Sequence, residues 1–362
     1  MRDLSAVQIL LAILALGFLI VVHEAGHYFV ALWCKMRVER FSIGFGPGIL
    51  KHRAKNGTIF QLAPIPFGGF VEIKGMNIAE EVSPDDAHAY PNRPTWQRFL
   101  TILAGPATNY LAAFVLAFFL FKCAGVPGST TYIDQIVEGS ASEGILFSGD
   151  RIVEIDGVAM SSPNTEKLSA AVNAKAGKPL AIVVDRSGAR VPVTVTPRLV
   201  HIKANGDKCE AGSEGCKTLY QIGVQQAADK DDVGVVRAAE LAVRLPIDVT
   251  GNILAGFRDI FTGREKPDLG GPVRILGEFK KAFEVGWTRG IELVIMLSVY
   301  LGLFNLFPIP ALDGGRLVFL GYEMVTRRRP NPKIEMTVTM VGVLLLVVLA
   351  LMATVFDIRR YI

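Results

Sequence analysis

The sequence predicts a polytopic α-helical membrane protein with about four transmembrane helices and one water-exposed domain, and three observations lead there. Of the 362 residues 51% are hydrophobic and 20% charged, too apolar for an ordinary soluble enzyme and too charged for a bare bundle of spans. Apolar blocks at about 6–33, 99–125, 291–307 and 336–356 are each long enough to cross a bilayer core about 30 Å thick. Between the second and third blocks the pattern changes to short strands and turns.

The first block runs without interruption from Ile9 to Val22 and ends in HEAGHYFVALW. It has only Arg2 beside Asp3 in front of it and no small-residue cleavage pattern behind it, so it reads as a span rather than a signal peptide. Lys35, Arg37, Arg40, Lys51, Arg53, Lys55, Arg93 and Arg98 lie between spans one and two, and Arg327, Arg328, Arg329 and Lys333 between spans three and four. Both loops are expected in the cytoplasm; the segment 126–288 and both termini then lie outside. Arg2, Arg289, Arg359 and Arg360 run against that rule. The net charge of +4 is spread among acidic residues and offers no nucleic-acid surface, which leaves the lipid bilayer as the obvious partner.

Inside span one stands His23-Glu24-Ala25-Gly26-His27. Histidines four apart project from one helix face, so two imidazoles can share a zinc ion while Glu24 lies beside it. An ionised carboxylate at the bilayer centre costs about 2.5–3.5 kcal/mol, so Glu24 in a span needs a partner or a task. Catalytic zinc sites usually take three protein ligands and leave one position open. The third ligand is expected from Asp313, in Asn305-Leu-Phe-Pro-Ile-Pro-Ala-Leu-Asp-Gly-Gly-Arg at the end of span three. Pro308 and Pro310 interrupt the helix there, and Gly314 and Gly315 permit a tight turn.

HEAGH in the first span together with NLFPIPALDG in the third resembles the paired motifs of the site-2 protease family of intramembrane zinc metalloproteases, closest to the bacterial regulator-of-sigma-E protease type. The resemblance covers nearly the whole chain. It implies His23, His27 and Asp313 as zinc ligands, Glu24 as the catalytic glutamate and Asn305 as the residue holding substrate. It further implies hydrolysis of transmembrane-helix protein substrates in regulated intramembrane proteolysis, for example of an anti-sigma factor, in a bacterial inner membrane. On the residues alone, the Asn305 amide suits either a substrate backbone or a bridge between helices.

The segment 41–73 carries two apolar, glycine-rich runs around Asn56-Gly57, a strong hairpin signal. Relatives have a membrane-re-entrant β-loop here, and an open edge would receive an extended substrate strand; a plain surface hairpin is the alternative. In 126–200, Gly149-Asp150 and Asp156-Gly157 bracket an alternating strand, followed by a helix-like TEKLSAAVNAKAG and two more strands. This resembles a single PDZ-like domain, expected in the periplasm. The connector 201–288 holds Cys209 and Cys216, expected as a disulfide if that side is oxidising, and an amphipathic helix at about 236–261, either on the membrane surface or between domains. Leu269-Gly-Gly-Pro-Val-Arg-Ile also resembles a family segment. A membrane adaptor without activity, or a metal transporter, is disfavoured by the intact motif pair and by the scarcity of polar residues in spans two and four.

Overall fold

The computed structural model describes residues 6–77, 80–160, 165–203, 209, 213, 216–264 and 272–361. The chain divides into two compact units, one formed by 1–123 with 234–362 and the other by 124–233.

In the first unit, α1 (Ala6–Trp33) is a continuous helix of 28 residues. At 1.5 Å per residue that is about 42 Å, longer than a bilayer core. A sheet follows: β1 (Val38–Phe45), β2 (Leu50–Arg53), β3 (Ile59–Leu62) and β4 (Ile65–Ile73). Its strand order is β2-β3-β1-β4. The single hairpin expected over 41–73 is therefore replaced by a four-stranded mixed sheet. Asn56-Gly57 does turn the chain, but between β2 and β3, which pair antiparallel, while β1 pairs parallel with β3 and antiparallel with β4. Gly46-Pro47-Gly48 ends β1 early enough to release β2, and Ala63-Pro64 separates β3 from β4. The hairpin tip is pinned to α1 by Asn56 Nδ2, which donates to the Tyr28 hydroxyl at 3.0 Å. Next, α2 (Thr95–Ala124) supplies the second span.

The second unit contains β5 (Val126–Ile136), β6 (Arg151–Ile155), β7 (Val158–Ala159), α3 (Thr165–Lys175), β8 (Leu180–Arg186), β9 (Ala189–Val195), β10 (Arg198–Lys203), β11 (Cys216–Gln221) and β12 (Val224–Asp231). The central sheet runs β7-β6-β8-β9, with separate pairs β10-β11 and β12-β5. Ile152, Ile155, Leu180, Ile182, Val184 and Val195 fill its core, closed by Leu168 and Val172 of α3 and by Ile222. The unit reaches Val233 rather than ending at residue 200, because β12 returns to pair along β5. Asp150, 1% exposed, accepts both prongs of Arg186 at 2.8 and 2.7 Å and the Phe147 N–H at 2.9 Å. Burial pushes the Asp150 carboxyl up, but the guanidinium and the Phe147 N–H outweigh it and hold the group below its ordinary value. Cys209 and Cys216 are disulfide-bonded.

The chain then rejoins the first unit through α4 (Val235–Phe261), α5 (Pro272–Val285), α6 (Trp287–Leu306), α7 (Asp313–Thr326) and α8 (Pro332–Tyr361). Of the segment Leu269 to Ile275, residues 269–271 lie outside the described residues and the rest opens α5. The amphipathic stretch is α4, which packs on the spans: Tyr110 of α2 bonds Thr250 at 3.0 Å, and the Phe257 ring lies 5.9 and 5.7 Å from those of Phe304 and Phe307. The chain after Asp313, expected as a short loop, first winds into α7, whose Glu323 takes the Arg98 guanidinium at 2.5 and 3.1 Å. Among the described residues, α1, α2, α6 and α8 are long and apolar enough to cross a membrane.

Candidate metal centre

Two helices deliver the donors. In α1 the four-residue spacing puts His23 and His27 on one face, buried at 8% and 7% exposure. Asp313 arrives on a different principle. Pro308 ends α6, Ala311 adopts a left-handed φ of +79°, and the chain folds back so closely that a Cβ on Gly314 would lie 2.0 Å from the Phe307 carbonyl oxygen. Only glycine fits, and Asp313 becomes the first residue of α7, facing α1.

The three donor atoms converge. His23 Nε2 is 3.1 Å and His27 Nε2 3.3 Å from Asp313 Oδ2, and the two Nε2 atoms are 3.2 Å apart. Asp313 Oδ2 nonetheless makes no hydrogen bond of acceptable geometry. Lone pairs aimed at one common point give that result. Zinc–nitrogen bonds of about 2.0–2.1 Å in a tetrahedron set ligands about 3.3–3.4 Å apart, so the donor set fits an ion of that kind.

The imidazoles are oriented from behind. His27 Nδ1 donates to the Thr101 carbonyl oxygen at 2.8 Å, which fixes the tautomer with a free lone pair on Nε2. Asn109 Nδ2 lies 3.0 Å from His23 Nδ1 and holds that ring from behind. Asn109 is itself fully enclosed, and its backbone carbonyl accepts from Ser298 of α6 at 2.8 Å. Glycines make room for this cluster. A Cβ on Gly105 would stand 2.2 Å from His27 Nε2 and 2.9 Å from His23 Cε1, and one on Gly26 would stand 2.3 Å from the Ala104 carbonyl oxygen. From the sequence alone, Thr101, Gly105 and Asn109 had no expected role at the site. The signal for the last two was Gly105-Pro-Ala-Thr-Asn109 in an otherwise apolar span, where small and polar residues mark close helix contacts.

Glu24 lines the same cavity of about 1360 Å³ as His23, His27, Asn305 and Asp313. The backbone of Val71 in β4 lies near its carboxylate, and a Cβ on Gly69 would sit 3.2 Å from Glu24 Cγ, so β4 passes directly beside the glutamate. One edge of β4 pairs with β1; Gly69 to Ile73 also line the cavity. Asn305 Nδ2 donates to the Leu301 carbonyl oxygen of its own helix at 2.9 Å rather than to the metal-site residues.

A model of peptidase family M50 matches residues 11–349. The chain belongs to that family. A Mesorhizobium japonicum protein bearing the name of a zinc metalloprotease is 34% identical over 356 residues, 94% of this chain and 95% of its own length. The regulator of sigma-W protease RasP of Bacillus subtilis is 28% identical across 96% of this chain and 97% of its own. A PDZ domain from a Listeria innocua protein matches 27% of this chain and 92% of its own at 21% identity, with a TM-score of 0.20, too slight a likeness to bear on the fold.

Proposed function

We propose that this M50 peptidase is an intramembrane zinc metalloendopeptidase that hydrolyses peptide bonds in or near transmembrane segments of membrane proteins. The observation that carries the reading is the convergence of His23, His27 and Asp313 within 3.1–3.3 Å of one another beside Glu24. His23, His27 and Asp313 hold the ion. When bound, zinc lowers the pKa of a water to about 7 and polarises the scissile carbonyl. Glu24 accepts the proton that the attacking water gives up and returns it to the leaving amine. Thr101 keeps the His27 imidazole in the tautomer that offers Nε2, and Asn109 holds the His23 ring in place. Asn305 turns its amide from Leu301 toward the substrate backbone.

A helical substrate has its amides paired internally and must be unwound before attack. The edge of β4 that pairs with no strand among the described residues supports a route: an unwound segment pairs with it as an added strand, beside Glu24. In this reading the sheet β1–β4 is the membrane-re-entrant element, the loops rich in Lys and Arg are cytoplasmic, and the unit 124–233 is a PDZ-like periplasmic domain. The cell compartment is the inner membrane of a bacterium and the task is regulated intramembrane proteolysis, as of an anti-sigma factor.

The test compares wild type with Glu24→Gln on a tagged transmembrane substrate in membranes, with zinc measured in both. Cleavage falls by about 10²–10⁴-fold while zinc stays bound. Undiminished cleavage in the variant removes Glu24 as the base and with it the mechanism.

A further inference from the structure

We propose that Arg316 receives the carboxylate that peptide hydrolysis creates, making it a product-binding residue of the cavity. The inference rests on the protease reading above.

Three guanidiniums line the cavity: Arg98, Arg316 and Arg329. Arg98 is committed to Glu323 at 2.5 and 3.1 Å, and Arg329 donates to the Pro91 carbonyl oxygen at 2.7 Å with Glu323 3.8 Å away. Arg316, half-buried, has neither an ion pair nor a hydrogen bond among the described residues. Glu335, which lines the same cavity, lies outside ion-pair distance of it. An unpaired guanidinium held half out of water is costly, and the fold keeps one here.

Its place on α7 explains what it awaits. Arg316 follows Asp313 by three residues, so both lie on one face about 4.5 Å apart along the axis, and Leu320 and Glu323 continue that face along the cavity. A peptide amide is neutral and gives Arg316 little to bind. Hydrolysis changes that. The C–N bond breaks, the water oxygen becomes the second oxygen of a carboxylate, and both protons of the water pass through Glu24 to the departing amine, which leaves as an ammonium ion. A full negative charge then appears in a cavity walled by apolar helices, where the planar fork of an arginine matches it with two donors. The amine fragment carries the same sign as Arg316 and is repelled. Arg316 thus draws the new carboxylate off the metal centre and along α7, clearing the site for the next substrate.

The experiment measures binding of a fluorescent peptide ending in a free carboxylate, and of its C-terminal amide twin, to the full-length protein with zinc and after removal of zinc by a chelator. Wild type binds the acid at least about tenfold more tightly than the amide in both states, the worth of a hydrogen bond to a charged group. Arg316→Gln loses that preference in the zinc-free state without changing affinity for the amide or zinc content, and Arg316→Lys regains part of it. No preference in zinc-free wild type, or a full preference in zinc-free Arg316→Gln, overturns the assignment. Cleavage of the tagged substrate, followed alongside, separates the two claims: wild type that cleaves but shows no preference refutes Arg316 alone, whereas wild type that does not cleave refutes the protease reading.

Discussion

The helical unit and the unit at 124–233 distribute their side chains in opposite senses. In the second, Leu180, Ile182, Val184 and Val195 are enclosed. In the first, α8 turns Leu344, Val347 and Leu351 outward, and the close contacts are made by Gly26, Gly105, Ser298 and Gly302. The contrast reflects the solvent that each unit is built for. In water, burying Ile or Leu is the main favourable term. Between lipid tails it gains almost nothing, so helices associate through small residues that let backbones approach and through the few polar groups available. The candidate metal centre exploits the second arrangement: the same close approach that packs α1 on α2 leaves room for two imidazoles and brings Thr101 and Asn109 to their backs.

Substitutions that ignore this distinction break the units differently. Gly105→Ala adds one methyl group in the helical unit and, with a Cβ 2.2 Å from His27 Nε2, abolishes zinc retention and cleavage; metal analysis of the purified variant checks it. Ile182→Ala removes apolar volume from the other core and costs that unit about 2–5 kcal/mol, read as faster amide hydrogen exchange within 124–233, with zinc content unchanged. Acid has the smallest effect. Because the Asp150 carboxyl is held below its ordinary value, its contribution is fully present above the unfolded carboxylate pKa of about 3.9 and is lost as pH falls through the folded one. Exchange in 124–233 therefore accelerates below about pH 4, and less so in Asp150→Asn, which has no such charge to lose.

The same contrast decides how much was legible in the sequence. Spans announce themselves by length, and His23, Glu24, His27 and Asp313 stand out because polar groups are rare in such surroundings. Thr101, Gly105 and Asn109 were given no role at the site, since their service to the histidines depends on how α1 meets α2. The sheet β1–β4 was misread as one hairpin because its parallel pair, β1 with β3, is not a neighbouring pair and leaves no local turn signal. Likewise β12, with Gln225, Gln226 and Lys230, is too polar to advertise a strand and is held by pairing with β5, about ninety residues earlier.

The most direct test of the account is X-ray absorption at the zinc edge of the purified full-length protein, with Asp313→Ala beside it. The expected result is a single tightly held zinc with two imidazole nitrogens at about 2.0–2.1 Å and a carboxylate oxygen, lost in the variant. Sulfur among the ligands, or undiminished zinc in Asp313→Ala, would contradict it.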